Sequence, residues 1–143
     1  MFGNFVKLTE RFEGAWEQTY AYFHLGRWYA SRTYFQKAIK CFNHAAELAA
    51  KHNANQGAGL FIADTTYNIA LCRYSLKETD KAIAEMQEAF RLRSQCVGKS
   101  SMEASEALLV LSRWLLREKK YDSCLQSVME CLRIRKLNPS FEK

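Results

Sequence analysis

The sequence predicts an all-α fold made of three helical hairpins in series, preceded by one further helix. Three observations carry that expectation. Proline occurs once in 143 residues, at Pro139, and glycine six times. Helix interiors tolerate neither well, so their scarcity suits a chain that is helical nearly throughout. Apolar residues recur at helical spacing. Tyr22, Leu25, Gly26 and Tyr29 stand at i, i+3, i+4 and i+7, and Phe35, Ala38, Phe42 and Ala45 mark one face of a second helix. The same pattern then returns twice, with Ala70 and then Ser112 in the place of Gly26.

Composition narrows the class further. The chain is long enough to bury a sizeable single core, and 48% apolar residues argue against disorder. No apolar run approaches the roughly 20 residues of a membrane span. The opening stretch, MFGNFVKLTERFEG, is amphipathic and of mixed charge and does not read as a signal peptide. The net charge of +6 is spread evenly, +2 in each of the stretches 1–50, 51–100 and 101–143. A concentrated basic stripe of the kind that binds nucleic acid does not stand out. The five cysteines, Cys41, Cys72, Cys96, Cys124 and Cys131, include no C-x-x-C pair. They read as reduced, small apolar residues of an intracellular, cytoplasmic protein.

Residues 4–13 carry Phe5, Leu8 and Phe12 on one stripe and predict an N-terminal helix within 1–15. Gly14 leaves two readings, because the stripe continues through Trp16, Thr19 and Phe23: two helices, or one running to about Ser31. The first hairpin is expected over 16–53, with helices at 16–31 and 35–52 and the turn at Thr33. Asn53, Asn55, Gly57 and Gly59 give a loop signal after it. The second hairpin is expected over 60–97, with Ile69, Ala70, Ala82, Met86 and Ala89 in the places of Leu25, Gly26, Ala38, Phe42 and Ala45. Gly98, Ser100 and Ser101 break the chain, and Ser101 is placed to cap the next helix. The third hairpin is expected over 101–138. Leu108, Leu111, Ser112, Tyr121, Cys124, Val128 and Cys131 fill its corresponding positions, and Asn138-Pro139 ends it. Small residues at Gly26, Ala38 and Ala45 are expected to face one another where the two helices touch.

This pattern resembles the tetratricopeptide repeat, W-x2-L-G-x2-Y…A-x3-F, with Tyr22 in the place of the Trp. The period from Gly26 to Ala70 to Ser112 is longer than that family's usual one of about 34 residues. The usual terminating proline is missing. Both features are similar to the extended repeats of kinesin light chains and LGN-type adaptors. The resemblance implies a right-handed α-solenoid that binds proteins, an adaptor or scaffold with no enzymatic activity and no cofactor or metal.

The resemblance also implies a peptide-binding groove lined by the first helix of each hairpin. Its positions fall on Tyr20, Phe23, Arg27 and Ser31, then on Asp64, Tyr67, Asn68, Leu71 and Tyr74, then on Glu106, Leu109, Arg113, Leu116 and Arg117. Such a groove is aromatic and apolar with three arginines, suited to a short acidic and apolar segment. Arginine grips a carboxylate as a bidentate fork, and tyrosine supplies contact area at low entropy cost. The carboxylate clamp of the chaperone-binding members is not matched, because Phe23 and Arg27 stand where they hold Lys and Asn.

Two rival classes are weighed against this reading. A nucleic-acid-binding α-solenoid is disfavoured by the even charge. A catalytic or metal protein would need a constellation that the three histidines, His24, His44 and His52, do not supply; no H-E-x-x-H, phosphate loop or G-x-S-x-G occurs. The final helix shows Leu125, Met129 and Leu132 with no polar capping helix after it. Repeat arrays usually end on a polar face, so this one is expected to be covered, by self-association or by further chain.

Overall fold

A computed structural model describes residues 15–52, 57–98 and 101–137. Those residues form six helices: α1 Ala15–Ser31, α2 Phe35–His52, α3 Ala58–Ser75, α4 Thr79–Val97, α5 Met102–Arg117 and α6 Tyr121–Leu137. Each packs on its neighbours in sequence, so the layers stack in one direction as an all-α solenoid. The stretch expected to form an additional N-terminal helix, and Asn138-Pro139, lie outside the described residues. No helix among the described residues is long and apolar enough to cross a membrane.

The repeat is written into the turns as well as the helices. Thr33, Lys77 and Lys119 all adopt positive φ, at 66°, 67° and 60°, and they keep the spacing of Gly26, Ala70 and Ser112. Each closes the first helix of its hairpin in the same way. The N–H of Thr33 bonds to the Ala30 carbonyl at 3.0 Å, and the N–H of Tyr34 to the Tyr29 carbonyl at 2.9 Å. Glu78 to Arg73 at 3.0 Å and Lys120 to Leu115 at 2.9 Å repeat the longer bond. This is the Schellman closure, which satisfies the last carbonyls of a helix through a left-handed residue. Glycine is the usual occupant of that place; here Thr and Lys hold it.

Between the hairpins the chain uses other devices. Ser101 caps α5, its hydroxyl accepting from the Ala104 N–H at 3.1 Å. Gly57, at φ 77°, caps α3. Gly59, expected in the loop, is instead helical, and α3 begins at Ala58 rather than at Leu60. A side chain at Gly59 would come within 2.9 Å of the Cys96 sulfur, so the glycine lets the end of α4 close on the start of α3.

The core follows the repeat. Tyr22, Tyr29, Ala38, Phe42 and Ala45 are buried in the first hairpin, and Ile69, Ala70, Ala82, Met86 and Ala89 in the second. Gly26 meets a different partner from the one expected. A Cβ there would lie 2.7 Å from Cε1 of Phe42 rather than against Ala38 or Ala45, so the missing side chain makes room for a fully buried ring. The third hairpin departs further. Leu108, Leu111, Ser112 and Cys131 are buried, but Tyr121 is 60% exposed and Val128 37%. The equivalents of Val128 in the earlier hairpins are buried because another helix lies over them; over α6 there is none among the described residues. The pattern also left out Trp114, Leu115 and Ile134, which belong to the largest apolar cluster.

Candidate peptide-binding groove

The first helices of the three hairpins meet through aromatic side chains. Phe61 of α3 stands 5.3 Å from Phe23 and 5.5 Å from Tyr20, centroid to centroid. Trp16 stacks on Tyr20 at 5.4 Å. Further along, Tyr74 of α3 lies parallel to Trp114 of α5 at 4.4 Å, with 4° between the ring planes. Rings of this size fill the gap between helices that touch mainly through their own hairpin partners, and offset stacking adds to the area they bury.

The predicted groove residues therefore do different things. Phe23 is half-buried against Phe42 and Phe61 and acts as a joint between α1, α2 and α3. Asn68 donates from Nδ2 to the Asp64 carbonyl at 2.8 Å. Leu109 lines a recess shared with Val128 and Leu132 of α6. Leu71, Leu116, Arg27, Arg113 and Arg117 are exposed. The Arg117 guanidinium lies 5.9 Å from the Tyr74 ring. Among the described residues, no salt bridge reaches Arg27, Arg113 or Arg117.

Tyr67 belongs to a cluster built around a residue the repeat pattern did not single out. Arg93, near the end of α4, is 5% exposed. Its guanidinium lies 4.3 Å from the Tyr67 ring centroid. Nε donates to Asp64 Oδ1 at 3.1 Å, with Nη2 of Arg93 2.9 Å from that same oxygen. Nη1 donates to the Glu103 carbonyl at 2.8 Å and lies 3.4 Å from Glu106 Oε1. One side chain from the second hairpin thus ties α3, α4 and α5 together. Burial, and then the Glu106 carboxylate that the phenol bonds to, push Tyr67 above its ordinary pKa; Arg93 and Arg113 pull it back.

The cysteines pack as small apolar groups. Cys41 and Cys72 are buried, and burial pushes each thiol from 9.0 up to about 11. Cys124 donates through Sγ to the Ser112 carbonyl at 3.3 Å. Cys96 is exposed.

Two family models, both described as the tetratricopeptide repeat, match residues 61–136 and 19–52. The chain belongs to the tetratricopeptide repeat family. Its hairpins are those repeats, and the Schellman turns at Thr33, Lys77 and Lys119 separate the two helices of each. The crystal structure of BtubC (BKLC) from P. vanneervenii shares the fold, with a TM-score of 0.75 at 19% identity. That similarity covers 88% of this chain and 49% of the other, so the chain spans about half the length of that structure. No curated protein sequence matches the chain. Tetratricopeptide repeats are in general non-enzymatic modules of protein–protein interaction.

Proposed function

We propose that this chain is an adaptor or scaffold module that binds a short segment of a partner protein along the first helices of its repeats. The segment carries at least one carboxylate beside an aromatic residue or leucine. The observation that carries this reading is the presence on the three first helices of Arg27, Arg113 and Arg117, without carboxylate partners among the described residues, and of exposed Leu71 on α3 and Leu116 on α5. The Asp64 and Glu106 carboxylates of the same helices are engaged by Arg93, which leaves these arginines to meet an acidic ligand. Tyr74, 5.9 Å from the Arg117 guanidinium, and exposed Tyr20 on α1 offer contact area. Tyr67, held by Arg93 and Glu106, shapes the wall more than it reaches for a ligand.

The long period, from Gly26 to Ala70 and from Ala70 to Ser112, supports a place among the extended repeats of the kinesin light chain and LGN type. Five unpaired cysteines support an intracellular, cytoplasmic setting. Exposed Leu125, Met129 and Leu132 support a second contact surface on the last helix. Affinity capture with wild-type chain and with Arg113→Glu/Arg117→Glu tests the groove reading: partners lost with the double variant and retained with Lys81→Glu support it, and partners retained with both refute it.

A further inference from the structure

The last hairpin presents the same surface that the second hairpin uses to receive α5, but with its polar centre unpaired. One repeat along, Tyr67, Ala70, Met86, Ala89, Phe90 and Arg93 become Leu109, Ser112, Val128, Cys131, Leu132 and Arg135. The second group lines a recess of about 130 Å³. That is well below the roughly 300–1,000 Å³ of small-molecule pockets, and it is of the scale that takes an inserted side chain. In the second hairpin the surface is covered: Met86 and Ala89 are fully buried beneath α5, together with Ala107, Leu108 and Leu111. In the third, Leu132 is 53% exposed and Val128 37%.

Arg135 is the decisive member. Arg93, its equivalent, has Nε on Asp64 and Nη1 on the Glu103 carbonyl and the Glu106 carboxylate of the helix that docks. Arg135 Nε is buried and has no hydrogen-bond partner among the described residues. A buried donor left unmade carries its full desolvation cost. The equivalent of Asp64 in this hairpin is Glu106, which is already engaged by Arg93 and Tyr67. No salt bridge among the described residues reaches Arg135, so a carboxylate placed on it would come from outside them.

We propose that this face docks an amphipathic α-helix of a partner protein, lying on α6 as α5 lies on α4. The helix places an apolar side chain in the recess and a carboxylate on Arg135. The model for its sequence is α5 itself, in which Glu106 is followed by Ala107 and Leu108 and, one turn on, by Leu111. This contact borders the arginine groove at Leu109 and differs from it in its charged group, Arg135 of α6.

The probe is a capped, fluorophore-labelled peptide copying residues 101–118, titrated into the full chain. Saturable binding at one site is expected. It weakens at least fivefold with Arg135→Gln in the protein, or with the Glu106→Gln change in the peptide. It weakens little further with both, because the two changes remove one interaction. Lys136→Gln in the protein leaves it unchanged. Absence of saturable binding overturns the proposal, as does binding indifferent to Arg135→Gln or weakened instead by Arg113→Glu. Sedimentation of the chain alone tests the rival occupant: a dimer dispersed by Leu132→Glu assigns the face to a second copy and overturns the partner helix. Circular dichroism confirms that each variant is folded.

Discussion

The guanidinium of Arg93 lies 4.3 Å from the centre of the Tyr67 ring and, in the same position, bonds to Asp64 and to the Glu103 carbonyl. This joins two repeats through one side chain. It gives the α3–α5 junction a polar lock within a stack otherwise held by apolar contact. Arg93→Met should remove the lock while keeping much of the volume. Asp64 and Glu106 are 40% and 53% exposed on their side chains, so both can hydrate once freed. The expected loss is about 1–3 kcal/mol, from a charged hydrogen bond to a carbonyl and a partly desolvated cation–π contact. Urea unfolding measures it; a change below about 0.5 kcal/mol, the range of an ordinary surface substitution, would mean that the cluster contributes little.

Gly26 tests the packing of the first hairpin. A Cβ would sit 2.7–3.1 Å from three atoms of the Phe42 ring, and that ring is fully buried. Helix propensity favours Ala over Gly by about 1 kcal/mol, while overpacking costs about 1–3 kcal/mol. Gly26→Ala is therefore expected to destabilise slightly and Gly26→Leu severely. Thermal melts check both, and a Gly26→Leu variant that melts with the wild type contradicts the close approach.

The hairpin turns should respond in the opposite direction. Thr33 is β-branched and holds φ 66°, a conformation that costs a residue with a branched Cβ about 1–2 kcal/mol. Its backbone bonds, to Ala30 and from Tyr34 to Tyr29, do not involve the side chain. Thr33→Gly is expected to raise stability by about 0.5–1 kcal/mol after the extra unfolded-state entropy of glycine. Thr33→Pro, which cannot adopt positive φ, should be strongly destabilising.

Thiol chemistry follows burial. Because the thiols of Cys41 and Cys72 are raised to about 11 in the folded chain from 9.0, folding favours their protonated forms. That contribution is fully present below about pH 9 and is lost as pH rises towards and through 11. Stability should fall over that window, and less steeply in Cys41→Ala/Cys72→Ala. At mildly alkaline pH, a disulfide reagent should modify exposed Cys96 quickly and reach Cys41 and Cys72 only at the rate of unfolding.

Much of the fold was legible in the spacing of residues such as Tyr22, Gly26 and Phe42, because a repeated hairpin must bury the same face in every copy. The same logic predicts Tyr121 and Val128 in the core, and both are exposed. Periodicity records which face a helix would bury, while burial depends on whether a further layer covers it. The burial of Arg93 is hidden from periodicity for a related reason. A lone arginine in the run RLRS reads as part of a solvated face, and only its acidic partners from α3 and α5 show that it is enclosed. A sequence signal did exist, since the step from Arg93 to Arg135 equals the step from Asp64 to Glu106. The groove was legible only as residue types. Spacing could place Phe23, Tyr67 and Arg113 on first helices, but it could not tell a ring that joins two helices from one that faces a ligand.

The most direct test of the groove is a titration of a labelled peptide with one or two carboxylates beside leucine or phenylalanine, followed by fluorescence anisotropy at two salt concentrations. Binding of about micromolar strength is expected, because ordering a flexible segment offsets much of the gross gain. It should weaken as salt rises. Arg113→Glu should weaken it several-fold while the melting temperature stays near that of the wild type, and Lys81→Glu should leave it unchanged. Affinity that is the same for Arg113→Glu, Arg117→Glu and the wild type would contradict the assignment of function to the first helices.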